Sequence, residues 1–144
     1  MSGVQTCDLP ILRRVISVDV AKQLSAMMES VTQEGGTATR AAIPGYRVAG
    51  KTGTAQRYDG SCGCYRGYTS SFIGFAPADK PRFVMSVTVQ NPVGIHWGGY
   101  LGGPVFKSVI SYALKKYRVP PTGVEFIPFP LDKAGLKSFA PDKG

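Results

Sequence analysis

The stretch Gly50-Lys51-Thr52-Gly53-Thr54-Ala55-Gln56 holds residue types that can build an anion-binding wall beside a nucleophile. Lys51 supplies a fixed positive charge, Thr52 and Thr54 offer hydroxyls, and Gly53 leaves the backbone open where a β-carbon would obstruct a substrate. In an extended segment Lys51 and Gly53 share one face, and the main-chain N–H and C=O groups can pair with an extended peptide. The chemistry indicated is anion recognition at the wall of a cleft.

The same lysine permits a second reading. Gly45-Tyr46-Arg47-Val48-Ala49-Gly50-Lys51-Thr52 matches the Gly-x-x-x-x-Gly-Lys-Thr pattern of a phosphate-binding P-loop. That loop works only when a strand ends before the first glycine and a helix starts at the lysine, so that N–H groups and helix dipole converge on phosphate. Pro44 precedes the motif, Arg47-Val48-Ala49 suits a strand, and Asp59-Gly60 downstream suits no helix. Nucleotide binding is the remote alternative.

The elements that must position this segment follow from periodicity. Over residues 18–33, Val20, Leu24, Met27, Met28 and Val31 recur at helical spacing, with Ser17 as cap and Asp19 in the first turn. Gly35-Gly36 ends that helix, and Pro44-Gly45 turns into a strand over residues 46–55. Residues 57–69, rich in glycine and carrying Cys62 and Cys64, read as a long irregular connection. A buried strand is expected over residues 70–76. A further strand follows the turn at Pro77-Ala78-Asp79-Lys80-Pro81, where Phe83, Met85, Val87 and Val89 alternate with Val84, Ser86, Thr88 and Gln90. Pro104 can open a second helix whose Phe106, Val109, Ile110, Ala113 and Tyr117 share a face and whose Lys115 and Lys116 suit its C-terminus. The class expected is α+β: an antiparallel sheet of about three strands with an N-terminal and a C-terminal helix laid on one face.

Composition narrows the function classes. A hydrophobic content of 43% over 144 residues is that of one ordinary domain, and no apolar run approaches the length of a membrane span. The net charge of +8 favours anionic partners, yet the basic residues are scattered and no nucleic-acid-binding pattern accompanies them, so no nucleic acid is expected. Cys7, Cys62 and Cys64 suit neither a disulfide framework nor a four-ligand metal site, so the latter two read as incidental loop thiols and no metal is expected. His96 and Trp97 could rim the cleft, with packing against the sheet the plainer role; packing is also the default for Tyr65 and Tyr68.

Beyond the triplet, Val48-Ala49-Gly50-Lys51-Thr52-Gly53-Thr54-Ala55-Gln56, then Ser71-Phe72-Ile73-Gly74-Phe75-Ala76-Pro77-Ala78, and Pro104-Val105-Phe106-Lys107 resemble class B penicillin-binding proteins, the division-type peptidoglycan transpeptidases. The helix around Val20-Ala21-Lys22-Gln23-Leu24 and Met28-Glu29-Ser30-Val31 is similar to that family too, so the likeness covers roughly residues 12–117. It implies the C-terminal part of the penicillin-binding and β-lactamase-like transpeptidase fold. It also implies a serine attack on the D-alanyl-D-alanine carbonyl of a stem peptide, then transfer to an acceptor amine that crosslinks peptidoglycan. Carried over by position, Lys51, Thr52, Gly53 and Thr54 bind the substrate or a β-lactam, Lys51 and Thr52 helping to hold its carboxylate. The Thr54 N–H would be one oxyanion donor. The resemblance brings no cofactor; its partners are stem peptides, β-lactams and cell-division proteins.

The family's Ser-x-x-Lys and Ser-x-Asn occur nowhere in the 144 residues. Three residues beyond Ser17, Ser25, Ser30 and Ser108 stand Val20, Met28, Gln33 and Ser111, and Asn91 follows Val89 by two. The expectation is a C-terminal fragment carrying the Lys-Thr-Gly wall without its nucleophile, catalytically silent alone. Its parent would be held at the outer face of the cytoplasmic membrane by an N-terminal anchor, this chain showing neither signal nor transmembrane segment. Residues 1–11 resemble translated adapter sequence and are set apart; residues 12–118 form the partial transpeptidase domain, and residues 119–144 a proline-rich tail in which Val124, Phe126, Ile127 and Phe129 could pack. A non-enzymatic alternative is a peptide-binding or scaffolding module on the same fold.

Overall fold

The computed structural model describes residues 15–122; the set-apart N-terminal segment and most of the proline-rich tail lie outside the described residues. Helix α1 (Val18–Ser30) starts where the Ser17 hydroxyl accepts the Val20 N–H at 3.2 Å, with Asp19 in the first turn. It stops short of the expected residue 33. The Thr32 hydroxyl is directed to the Glu29 and Val48 carbonyls, at 3.0 and 2.7 Å, which draws the chain towards the sheet.

Three strands follow, β1 (Ala49–Asp59), β2 (Cys64–Ala76) and β3 (Phe83–Gln90), in an antiparallel sheet of order β1-β2-β3. The alternation expected for β3 is present, but β1 and β2 are longer than expected. Residues 57–69 continue both strands as a hairpin, correcting the irregular connection expected there. Its tip is built by Asp59, whose Oδ1 accepts the Ser61 N–H at 3.0 Å and the Ser61 hydroxyl at 2.6 Å, and by an edge-to-face contact of Tyr58 and Tyr65. Cys62 and Cys64 form a disulfide there, correcting the reading of free thiols.

Helix α2 (Gly98–Lys116) begins at Gly98, so Pro104 lies inside it and does not open it. Gly98, Gly99, Gly102 and Gly103 are poor helix formers that packing retains: a β-carbon on Gly102 would come 2.8 Å from Phe72 Cβ. Phe106, Ile110 and Leu114 form the buried face; Val109 and Tyr117, assigned to it from sequence, are exposed, although the Tyr117 ring still touches Phe83. Phe72 and Phe106 meet edge-to-face at 5.2 Å, surrounded by Val48, Ala76, Val87 and Leu114. Each large side chain buried here contributes about 1.5–3 kcal/mol.

The helices are not laid together on the sheet: α2 crosses all three strands, whereas α1 meets β1 and makes no contact with α2. Val20, Leu24 and Met27, the apolar stripe of α1, stay more than 40% exposed. The residue that α1 does bury is Glu29, 1% exposed, held by Arg47 through Nε and Nη2 at 2.8 and 2.7 Å. That hydrogen bond, outweighing desolvation, raises the Arg47 pKa above its ordinary value.

Candidate functional site

Lys51, Thr52, Gly53 and Thr54 lie within β1, so the lysine starts no helix and the geometry of a phosphate loop is absent. Opposite them on β2 stand Ile73, Phe72, Ser71 and Ser70. β1 is an edge strand: its second side faces no other strand among the described residues. One row of main-chain groups is thereby left without a strand partner among the described residues.

Alternation assigns the side chains to two faces. Thr52 shares the α2 side with Phe72; its hydroxyl lies 3.3 Å from that of Thr37, and Gly99 packs so tightly that a β-carbon there would come 2.9 Å from Thr52 Cγ2. Lys51 and Gly53 face the other way. Lys51 is exposed, its Nζ donating to the Thr52 carbonyl at 2.7 Å. Thr54 is exposed beside buried Ser70, whose hydroxyl donates to the His96 carbonyl.

Gly53 has a second reason to be glycine, which the sequence reading missed. A β-carbon there would come 2.5 Å from the Ser71 hydroxyl oxygen, so Ser71 occupies the space beside the motif. Gly98 was missed too: a β-carbon on it would stand 2.1 Å from the Ser71 carbonyl oxygen and 2.5 Å from that of Gly53. The start of α2 therefore rests directly on the backbone of the motif strand. The local sequence signal for that contact was Gly98-Gly99, a pair that reads as loop until its neighbours are known.

The loop before α2 supplies packing. His96 stacks on Tyr68 at 4.0 Å with the rings 7° from parallel, and Trp97, 4.8 Å from His96, is 63% exposed. Trp97, Tyr100, Thr37, Thr39 and Arg40 line a cavity of about 220 Å³, with the Arg40 guanidinium 3.6 Å from the Tyr100 ring centre. These residues brace the α2 side of the strand, away from Lys51.

Comparison with known proteins gives this geometry a family. The profile described as "Penicillin binding protein transpeptidase domain" matches residues 8–111. The probable peptidoglycan D,D-transpeptidase PenA of Neisseria flavescens is 40% identical over 111 residues, covering 76% of this chain and 28% of that protein. Stage V sporulation protein D of Bacillus subtilis is 42% identical over 110 residues, covering 76% of this chain and 17% of its own length. The apo transpeptidase domain of Burkholderia pseudomallei penicillin-binding protein 3 superposes with a TM-score of 0.67 at 42% identity, over 78% of this chain and 34% of that one. Penicillin-binding protein 3 of Mycobacterium tuberculosis, solved with ampicillin, gives 0.70 at 32% identity, over 80% and 28%. This chain thus spans well under half the length of each relative. It belongs to the penicillin-binding protein transpeptidase family and corresponds to the C-terminal part of a class B transpeptidase domain.

Proposed function

We propose that the free edge of β1, from Lys51 to Thr54, is one wall of the acyl-transfer cleft of a peptidoglycan D,D-transpeptidase. The supporting observation is that the Lys-Thr-Gly triplet and Thr54 sit on an unpaired strand edge, with Lys51 and Thr54 both exposed. Lys51 and Thr52 hold the terminal carboxylate of the stem peptide, or that of a β-lactam. The Thr54 N–H donates to the oxyanion that forms when the penultimate carbonyl is attacked, and its hydroxyl serves substrate or drug. The peptide lies along β1 as an added strand.

The attacking serine and its lysine partner belong to a Ser-x-x-Lys that these 144 residues lack, so this chain binds without turning over. The complete parent crosslinks stem peptides outside the cytoplasmic membrane, alongside cell-division proteins; no described helix is long and apolar enough to cross a membrane. Incubation with a fluorescent penicillin followed by denaturing electrophoresis tests the reading. The expected gel shows no covalent band, while NMR titration with an acyl-D-Ala-D-Ala peptide shifts the Lys51–Thr54 amides and Lys51→Ala weakens that binding. A stable penicilloyl adduct, or peptide binding insensitive to Lys51, defeats it.

A further inference from the structure

On the side of the sheet that carries Lys51, a second polar feature has no part in the roles assigned so far. Arg57, Tyr58, Asp59, Gly60, Arg66 and Asn91 line a cavity of about 300 Å³ at the base of the hairpin tip. Two arginines on adjacent strands repel each other unless an anion lies between them. Among the described residues neither lies within ion-pair distance of a carboxylate; the Asp59 carboxylate that also borders the cavity accepts two hydrogen bonds from Ser61 and feels the charge of Arg57 only as a lesser influence, which leaves Arg66 without a counter-charge.

Register places this cavity in line with the motif. Between the pairs Gln56↔Tyr68 and Tyr58↔Tyr65, β1 advances two residues and β2 three, so the extra residue lies on β2, where Gly67 has φ of 72°. β1 therefore keeps its alternation, and Lys51, Gly53, Ala55 and Arg57 follow one another on a single face. Arg57 lies three positions beyond Thr54 along β1, about 10 Å at strand rise.

The direction of the bound peptide follows from the roles given above, on which this inference rests. Its C-terminal carboxylate lies at Lys51 and Thr52 and its reacting carbonyl at Thr54, so the residues upstream run towards Tyr58. We propose that Arg57 and Arg66 form a subsite for an acidic side chain about three residues upstream of the reacting carbonyl, making this edge selective for anionic peptides. Guanidinium groups suit that task, because they bind carboxylates through paired N–H donors.

The test uses the full chain, labelled with ¹⁵N, and two peptides: acetyl-Glu-Ala-Ala-D-Ala-D-Ala and its Gln counterpart. The Glu peptide is expected to bind about fivefold more tightly, the return of one partly exposed charge pair. It should shift the Arg57 and Arg66 Nε–H signals, and its advantage should vanish in Arg57→Gln/Arg66→Gln and shrink in high salt. Lys51→Ala should weaken both peptides alike. Equal binding of the two peptides, still dependent on Lys51, overturns this inference and leaves the strand-edge reading standing. Binding through the arginines that ignores Lys51 overturns the proposed alignment, and absence of binding by either peptide overturns both readings.

Discussion

Replacing Gly98 by alanine should loosen the contact that holds the motif strand against α2. The added β-carbon would stand 2.1 Å from the Ser71 carbonyl oxygen and 2.5 Å from that of Gly53. Carbon-to-carbonyl-oxygen contacts normally begin near about 3.3 Å, so the helix start or the strands must move by roughly 1 Å. Neither obstacle is a flexible side chain that can swing away. Overpacking of this kind costs about 1–3 kcal/mol, and the better helix propensity of alanine returns less than about 1 kcal/mol at a first helical position. For a chain of this size each kcal/mol corresponds to roughly 4 °C in Tm, so with that return subtracted thermal unfolding should fall by about 4–8 °C. Gly60→Ala is the control, since a β-carbon there meets no atom within 4 Å and its unfolding should stay within about 0.5 kcal/mol of the parent's. ¹H–¹⁵N spectra should show the Gly53 and Ser71 amides displaced in the first variant alone. A Gly98→Ala chain as stable as Gly60→Ala, with those amides unmoved, would refute the claim that α2 bears on the motif backbone.

Other perturbations probe the supports of the strand. Glu29→Ala leaves the Arg47 guanidinium without the carboxylate that holds it by two bonds, and denaturant unfolding should show a loss of about 3 kcal/mol or more; a loss under about 1 kcal/mol would show the pair to be incidental. Thr32→Val removes the hydroxyl that donates to the Val48 carbonyl at 2.7 Å in a buried site, at a cost of about 1–2 kcal/mol, with faster amide exchange at the start of β1 as its signature. The Asp59 carboxyl is held below its ordinary 3.8 first by the Ser61 hydroxyl and then by the Ser61 N–H. Its folded value being depressed, its contribution to the hairpin tip is complete above 3.8 and disappears as pH falls through that lower value. A ¹³C carboxyl titration should find Asp59 below 3.8 in the parent and moved back up in Ser61→Ala; an unchanged midpoint contradicts the assignment.

Where one physical signal dominated, the sequence was legible. β3 alternates because one face packs on α2, and Ser17 caps α1 because its hydroxyl has a free N–H within reach. The hairpin was hidden because Asp59-Gly60 was read among so many glycines that its turn signal lost its partner strands. The start of α2 was hidden because four glycines argue against a helix in isolation, and what favours them is the bulk of Phe72 and the carbonyls of Ser71 and Gly53. The stripe Val20, Leu24 and Met27 promised burial that no described residue provides, while Glu29 went inside because Arg47 was waiting, a pairing across eighteen positions that periodicity does not reveal. Lys51, Thr52, Gly53 and Thr54 were found together on one strand as read, but Ser71 and Gly98 reach the motif only through strand pairing and helix packing.

The hairpin of β1 and β2 runs past the end of its neighbour: β3 pairs with β2 only as far as Thr69↔Gln90, so residues 56–68 form a two-stranded arm. A ribbon of two strands has little hydrophobic support of its own, whereas its root is clamped between β3 and α2. Change in such an arm is cheap and change at its root is not. The turn at residues 60–63, beyond Arg57 and Arg66, is therefore the place to graft a reporter or an affinity tag without touching the wall of the cleft.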